Sequence, residues 1–308
     1  MIAYILRKIL YSILVLFGVI TVTFFINFVL PGDPARLMLG QRADQASITA
    51  LRQQLGLDKP KIVQFGNFLV GLSQGDFGRS FSTNRDVFTT IKERFPATAL
   101  LAVTAMIFST FLGVILGIIA SVRPNSWLDT SLMGFALLGI SLPSFVFGLL
   151  LLLFFGVYLD WLPISGYVDR GVEYLFLPML TLAFRPLSII ARVTRSSMLD
   201  VLGQDYVRTA KAKGLATSKV IVRHALRNAL NPVVTTVSAW FAGLLAGTFF
   251  VEYIFNWPGI GTVAIDSILK LDYPMIQGTV LFTAIVFVFV NMVVDVLYVF
   301  LDPKVKLQ

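Results

Sequence analysis

The sequence predicts an all-α polytopic membrane protein with six transmembrane helices and both termini on the cytoplasmic side. Three observations carry this prediction. Hydrophobic residues make up 56% of the 308 residues and charged residues only 14%, where a soluble domain holds about a quarter charged residues. Six apolar runs, near 9–30, 97–121, 131–159, 174–193, 229–250 and 276–300, are long enough to cross about 30 Å of hydrocarbon. Lys and Arg concentrate in the segments that fall on one side of that pattern, which sets orientation.

The first run follows Arg7-Lys8, has no small-residue cleavage site and ends at Pro31-Gly32-Asp33-Pro34. It is therefore read as a retained anchor and not as a removable signal. With the outer segment that follows it forms an N-terminal region, 1–95, ahead of a core at 96–308. The 31–95 segment holds nine basic and six acidic residues, and loops of that length translocate largely regardless of charge. Gly113 and Gly117 in the second run, and Gly243 and Gly247 in the fifth, have the four-residue spacing that lets helices pack backbone to backbone. The third run is long and contains Pro143, which predicts one helix tilted or kinked there.

The fourth run places Arg185 roughly 15 Å below its outer edge at about 1.5 Å per residue. A charge at that depth is costly and by default faces a cavity or a partner; Arg185 is the candidate on a solute path. Pro186 directly after it leaves open a broken helix with Arg185 snorkelling inward. Asp295, in the sixth run, is closer in depth to Arg192 and Arg195, so these are paired as an inner-gate or structural contact.

With the N-terminus inside, the cytoplasmic segments carry Arg7, Lys8, Arg123, nine basic residues from Arg185 to Arg227, Lys304 and Lys306, whereas the short outer loops carry Arg170 and Lys270. The net charge of +8 is then an orientation signal and requires no nucleic-acid partner. Tyr158, Trp161, Tyr253 and Trp257 are expected at the outer interface and Trp127 at the inner one. The absence of cysteine excludes a disulfide framework, a thiolate metal site and a cysteine nucleophile, and one histidine, His224, makes no histidine-based metal centre.

The segment 203–232 is cytoplasmic, basic and non-spanning. It reads as two short helices, the first capped by Asp205 and the second by Thr217 or Ser218. Tyr206 or Val207, Ala210 and Gly214 share one face of the first, a tight surface suited to close contact with another protein. The second is expected to end at Asn231-Pro232. The order Asp205-Tyr206-Val207-Arg208-Thr209-Ala210-Lys211-Ala212-Lys213-Gly214, then Arg223-His224-Ala225-Leu226-Arg227-Asn228 and Pro232, resembles the coupling loop of bacterial ABC-importer permeases, in the dipeptide/oligopeptide/nickel branch. Where the general importer motif has Glu-Ala-Ala before the Gly, Arg208-Thr209-Ala210 stand here, a departure shared by the peptide branch. Leu30 to Pro34, Leu55 to Pro60, Gly75 to Ser80, Arg195 to Met198, Asn256 to Gly261, Val294 to Tyr298 and Asp302 to Lys304 fit the family in the same order.

The resemblance implies a type I ABC importer transmembrane domain in the bacterial inner membrane, working by alternating access. It implies a homologous second permease, two cytoplasmic ATPase subunits that bind ATP and Mg, and an extracytoplasmic binding protein. Short peptides are the expected solute; nickel chelates, glutathione or oligosaccharides are the alternatives within the family. A stand-alone secondary transporter or channel is the rival from another class. Asp205, Tyr206, Arg208, Thr209, Ala210, Lys213, Gly214 and Leu215 are the expected ATPase-coupling residues. Asn256, Trp257, Pro258 and Gly259 are the candidate docking site for the binding protein. The dipeptide Gly-Lys never occurs, so a phosphate-cradling loop with its lysine is not expected, nor is enzymatic chemistry in this chain.

Overall fold

The computed structural model describes residues 2–26, 34–39 and 44–301. The motif residues Leu30, Gly32, Asp33, Asp302, Pro303 and Lys304 lie outside them, as does the side chain of Asp295. The described residues form α1 (Ile2–Ile26), α2 (Pro34–Leu39), α3 (Gln45–Gln54), α4 (Lys61–Ser73), α5 (Val87–Val122), α6 (Trp127–Ser141) and α7 (Ser144–Leu151). After them come α8 (Phe176–Leu202), α9 (Asp205–Ala212), α10 (Thr217–Lys219), α11 (Leu226–Ala246), α12 (Phe249–Ile254), α13 (Ile260–Leu269) and α14 (Tyr273–Leu301). Helix dominates because a segment in hydrocarbon must satisfy its own backbone groups.

Five helical stretches are long and apolar enough to cross a membrane: Leu6–Ile26, Val87–Val122, Val172–Leu202, Thr217–Ala246 and Tyr273–Val294. The predicted third span is not one kinked helix. It is two helices, α6 and α7, that change direction by 109°. Pro143 caps α7 in an extended conformation, and Leu142 before it is extended too, as the steric clash of a proline with its predecessor demands. The π-helical turns of Leu152–Tyr158 continue α7 outward.

Side-chain neighbours show that this bent pair crosses the membrane once. A Cβ on Gly113 would lie 2.9 Å from the Leu187 carbonyl oxygen, and one on Gly117 would lie 2.6 Å from that of Ala191. Both positions advance together, so α5 and α8 run parallel. Along the bent pair, Asp129 meets Arg195, Gly139 meets Phe184 and Ser188, and Gly148 meets Thr181. The pair therefore runs antiparallel to α8 and returns the chain to the outer side. Six crossings result among the described residues, with the start of α1 and the end of α14 on one side.

The Gly113/Gly117 pair thus does what its spacing predicts. The Gly243/Gly247 pair does not: a Cβ on Gly243 would meet nothing within 4 Å. The second cytoplasmic helix does not end at Pro232 either, because α10, the π-helical turns of Val220–Ala225 and α11 form one continuous stretch into the fifth span. Helix α5 is 36 residues long and passes through position 95 without a break. Asp86 caps it, accepting the Thr89 N–H at 2.7 Å, and hydrogen bonds from the Thr89 side chain and N–H hold the Asp86 carboxyl below its ordinary range.

The core lies where α5, α8, α11 and the outer loops meet, with Leu101, Ala105, Leu177, Ile190 and Trp257 among its buried members. Outside it, α1 packs on α14 and, through Phe24, on Phe65 and Phe68 of α4, at ring distances of 5.1 and 5.6 Å. Tyr158, Trp161 and Tyr253 are exposed as expected of interfacial aromatics, and so is Trp127, but Trp257 is 0% exposed.

The α5–α8 contact generates a direct prediction. A Val at Gly117 would bring its Cβ to 2.5 Å from Thr194 Cβ, and such overpacking costs about 1–3 kcal/mol. Gly117→Val should lower the thermal unfolding midpoint in detergent, whereas Gly134→Ala, at a position with open space, should leave it unchanged.

Candidate functional site

Helix α8 is buried on almost every side, and its exposed residues fall on one stripe that includes Arg185, Arg192 and Ser196. The helix runs unbroken through Pro186, so Arg185 is not released from the span by a break. Its guanidinium carbon lies 5.7 Å from the centre of the Trp240 ring on α11, a cation–π contact. Arg185 forms no ion pair among the described residues. Next to it α11 exposes Asn231, Thr235, Ala239 and Gly243, a small and polar stripe. Arg185 thus stays exposed beside Trp240 within the membrane-crossing stretch of α8.

Arg195 points elsewhere. Its Nε and Nη2 donate to both oxygens of Asp129, at 2.5 and 2.6 Å, and Asp129 also accepts the Asn125 N–H at 2.9 Å. Arg195 therefore has Asp129 as a partner, whereas the expected pairing of Asp295 with Arg192 or Arg195 falls on a side chain outside the described residues. The signal lay in Ser126-Trp127-Leu128-Asp129, where Ser126 is a helix N-cap and Asp129 falls in the first turn. The bidentate fork holds the start of α6 against the cytoplasmic end of α8, and its carboxylate is 3% exposed. Arg192 is exposed on the same side of α8 as Arg185.

In the cytoplasmic loop, Gln204 takes the N-cap position of α9 and Asp205 the first turn, while Ala216 takes the N-cap of α10. Asp205 reaches Arg208 at 3.4 Å on the surface. The small face expected to meet a partner is turned inward: Val207 and Ala210 are buried against Val220, with Leu215 packed beside them. The outward face therefore consists of Asp205, Tyr206, Arg208, Thr209, Lys213 and Gly214, all exposed. Ala210 and Leu215 position that face from behind. Gly214 has φ +74° and its N–H donates to the Lys211 carbonyl at 3.0 Å; a left-handed residue is what ends α9 there.

Tyr206 ties this helix to the fifth span. Its hydroxyl accepts the Asn228 side-chain N–H at 2.8 Å and donates to the His224 carbonyl at 3.4 Å. His224 takes part in this tie through its backbone carbonyl.

On the outer side, the predicted docking residues separate. Asn256 is exposed and Pro258 half-buried, whereas Trp257 and Gly259 are buried. Trp257 is an anchor. Its Nε1–H donates to the Ala97 carbonyl at 2.8 Å and its ring meets Tyr167 edge-on at 4.7 Å. Beneath it lies Glu252, 0% exposed, which no sequence argument singled out. Its carboxylate accepts the Thr248 and Thr98 hydroxyls, the Gly261 N–H at 2.7 Å and the Thr262 N–H at 3.4 Å. Burial pushes the Glu252 carboxyl above its ordinary value, and the donors only partly offset that. A second buried acid, Asp272, accepts the Ser80 hydroxyl at 2.5 Å, the Phe81 N–H at 3.0 Å and the Ser82 hydroxyl at 2.8 Å. It fastens the Gly75–Ser80 motif region to the start of α14.

Beside this knot opens a cavity of about 550 Å³ lined by Arg94, Ser165, Gly166, Tyr167, Asp169, Arg170, Asn256, Pro258, Gly259, Thr262, Val263 and Asp266.

The raised Glu252 carboxyl has a consequence for pH dependence. A group whose folded value lies above its unfolded one supports the fold fully below the ordinary glutamate value of 4.5 and loses that support as pH rises through the folded value. Hydrogen exchange of residues 249–262 should therefore speed up with rising pH above that value in the wild type, beyond the intrinsic base catalysis. Glu252→Gln should remove this excess pH dependence.

Comparisons with known proteins agree with this arrangement. A family described as "Binding-protein-dependent transport system inner membrane component" matches residues 113–307, and its N-terminal companion matches residues 1–102. The chain is similar to the glutathione transport system permease protein GsiC of Salmonella typhimurium (strain LT2), 45% identical over 306 residues that cover 99% of each chain. It is 44% identical, with the same coverage, to the protein of that name from Escherichia coli (strain K12).

Proposed function

This chain belongs to the family of binding-protein-dependent transport system inner membrane components, and from that premise we propose that it carries short peptides across the inner membrane after an extracytoplasmic binding protein delivers them. It is a permease subunit of an ATP-driven importer. The observation that carries the substrate reading is its full-length similarity to permeases named for glutathione transport, since glutathione is itself a tripeptide. Glutathione is accordingly the leading individual candidate.

The complete importer, in this reading, pairs the chain with a homologous permease and two ATPase subunits that bind ATP and Mg. The chain itself carries out translocation and no covalent chemistry. The outward face of α9, with Asp205, Tyr206, Arg208, Thr209, Lys213 and Gly214, meets the ATPases. Movement there reaches the solute path along a short mechanical route. Val207 and Ala210 pack on Val220 and Tyr206 bonds Asn228, so α9 moves with the helix that continues as α11. That helix carries Trp240 against Arg185. Arg185 keeps its charge at physiological pH and presents a fixed positive group to the carboxylate of a passing peptide. The exposed Asn256 and the half-buried Pro258, with the 31–95 segment, receive the binding protein.

Two experiments test this reading. In the reconstituted importer, Arg208→Glu with Lys213→Glu should lower transport and solute-stimulated ATP hydrolysis together, with membrane insertion intact. Wild-type transport in that variant would remove α9 from the coupling role. In proteoliposomes, Arg185→Gln should slow peptide transport by about tenfold, the scale of one lost charge-assisted hydrogen bond. Arg185→Lys should be milder, and the affinity of the binding protein should be unchanged in both. Normal transport in the Gln variant would take Arg185 off the solute path.

A further inference from the structure

The outer cavity has an unusual charge content. Arg94 comes from α5, Asp169 and Arg170 from the 159–171 loop and Asp266 from α13, and all four line the same space of about 550 Å³. Two cations and two anions therefore face one cavity. No ion pair joins any of them to each other or to another described residue, although opposite charges lining one space could pair by modest side-chain rotation. The frame that holds them is rigid. The Gly166 N–H donates to the Phe255 carbonyl at 3.1 Å and Tyr167 packs on the buried Trp257. The Ile260 N–H donates to the Thr98 hydroxyl at 2.9 Å and Thr262 Oγ1–H to the Trp257 carbonyl at 2.7 Å. The walls are thereby preformed, and ligand sites are built from a few convergent polar groups on such walls.

We propose that this cavity is a binding site for a small zwitterion, with Arg94 and Arg170 receiving a carboxylate and Asp169 and Asp266 receiving an ammonium group. A simple anion would meet the two aspartates and a simple cation the two arginines, so a ligand that carries both charges is the one the lining neutralises throughout. The volume suits a di- or tripeptide with free termini. The exposed Asn256 and the half-buried Pro258 line the cavity, so a binding protein seated there would release its solute beside it. This inference rests on the peptide reading above and adds to it a first station for the solute on the permease, recognised by its two termini.

The test uses the whole importer complex in nanodiscs without its binding protein, with trialanine, N-acetyl-trialanine and trialanine amide as probes and saturation-transfer NMR as the readout. Trialanine should bind, and each blocked analogue should bind about tenfold more weakly, the loss expected for one charge-assisted contact. Arg94→Gln with Arg170→Gln should abolish discrimination against the amide and keep discrimination against the acetylated peptide. Asp169→Asn with Asp266→Asn should do the reverse. Equal binding of all three peptides to the wild type, or an unchanged pattern in both double variants recovered as intact complexes, overturns the proposal. Peptide uptake by the wild-type importer is measured in parallel. Uptake without the terminus-dependent pattern defeats the cavity alone, whereas the pattern without any peptide uptake defeats the peptide reading and leaves the cavity standing.

Discussion

The close approach of α5 to α8 is the constraint on which the other helices depend. Lipid provides no hydrophobic force between helices, so helices that associate in hydrocarbon gain chiefly from dispersion contact and buried polar bonds. Two glycines on α5 let the backbone carbonyls of Leu187 and Ala191 come within contact distance. That contact sets α8 at the centre, with α6 and α7 along one side and α11 along another. Glycines at 139 and 148 repeat the device from the bent pair, where Ser188, Phe184 and Thr181 fill the space that a side chain would need. The helix that emerges from this crowd has one open stripe, and the charge at mid-depth lies on it.

Buried carboxylates secure the ends of the spans. Asp129 joins α6 to α8 at the cytoplasmic end, while Glu252 and Asp272 gather hydroxyl and amide donors at the outer end. Each crosses from one element to another, so each replaces a solvated loop with a fixed joint. Their energetics differ. Asp129 has a cation in a bidentate fork, and removal of either member of such a buried pair typically costs about 3–5 kcal/mol. Glu252 has only neutral donors, which is why burial dominates its ionisation and makes the outer knot responsive to pH.

The two faces proposed to take part in transport are linked by a single helix. Its cytoplasmic start is gripped by Tyr206 and by the Val207–Val220 contact, and further along it Trp240 lies against Arg185. Backbone hydrogen bonds make such a helix stiff along its axis, so a displacement at one end is carried to the other. Pro232 lies within that stretch, where its missing N–H removes one ladder bond.

Much of this organisation was legible in the sequence. Hydrophobic length and the Lys/Arg bias specified six crossings and their direction because the bilayer imposes both one span at a time. The ordered motifs resembled the right family, and the Gly113/Gly117 spacing marked the contact on which the core is built. What the sequence could not settle were the partners of its polar groups and the direction in which each face turns. Ala210 and Trp257 looked like surfaces for other proteins, yet both face inward, because burial depends on which neighbouring element arrives. Depth alone offered Arg192 or Arg195 for Asp295 and gave no hint of Asp129, which lies 66 residues from Arg195 in the chain and is brought to it by the return of α6 along α8. Pro143 announced a disturbance, but not one of 109°, since a proline sets only its local dihedrals and packing against α8 decides the rest. Glu252 and the four charges around the outer cavity carry no local signature at all. They become a joint and a candidate site only where loops distant in sequence converge, and tertiary structure alone makes that convergence.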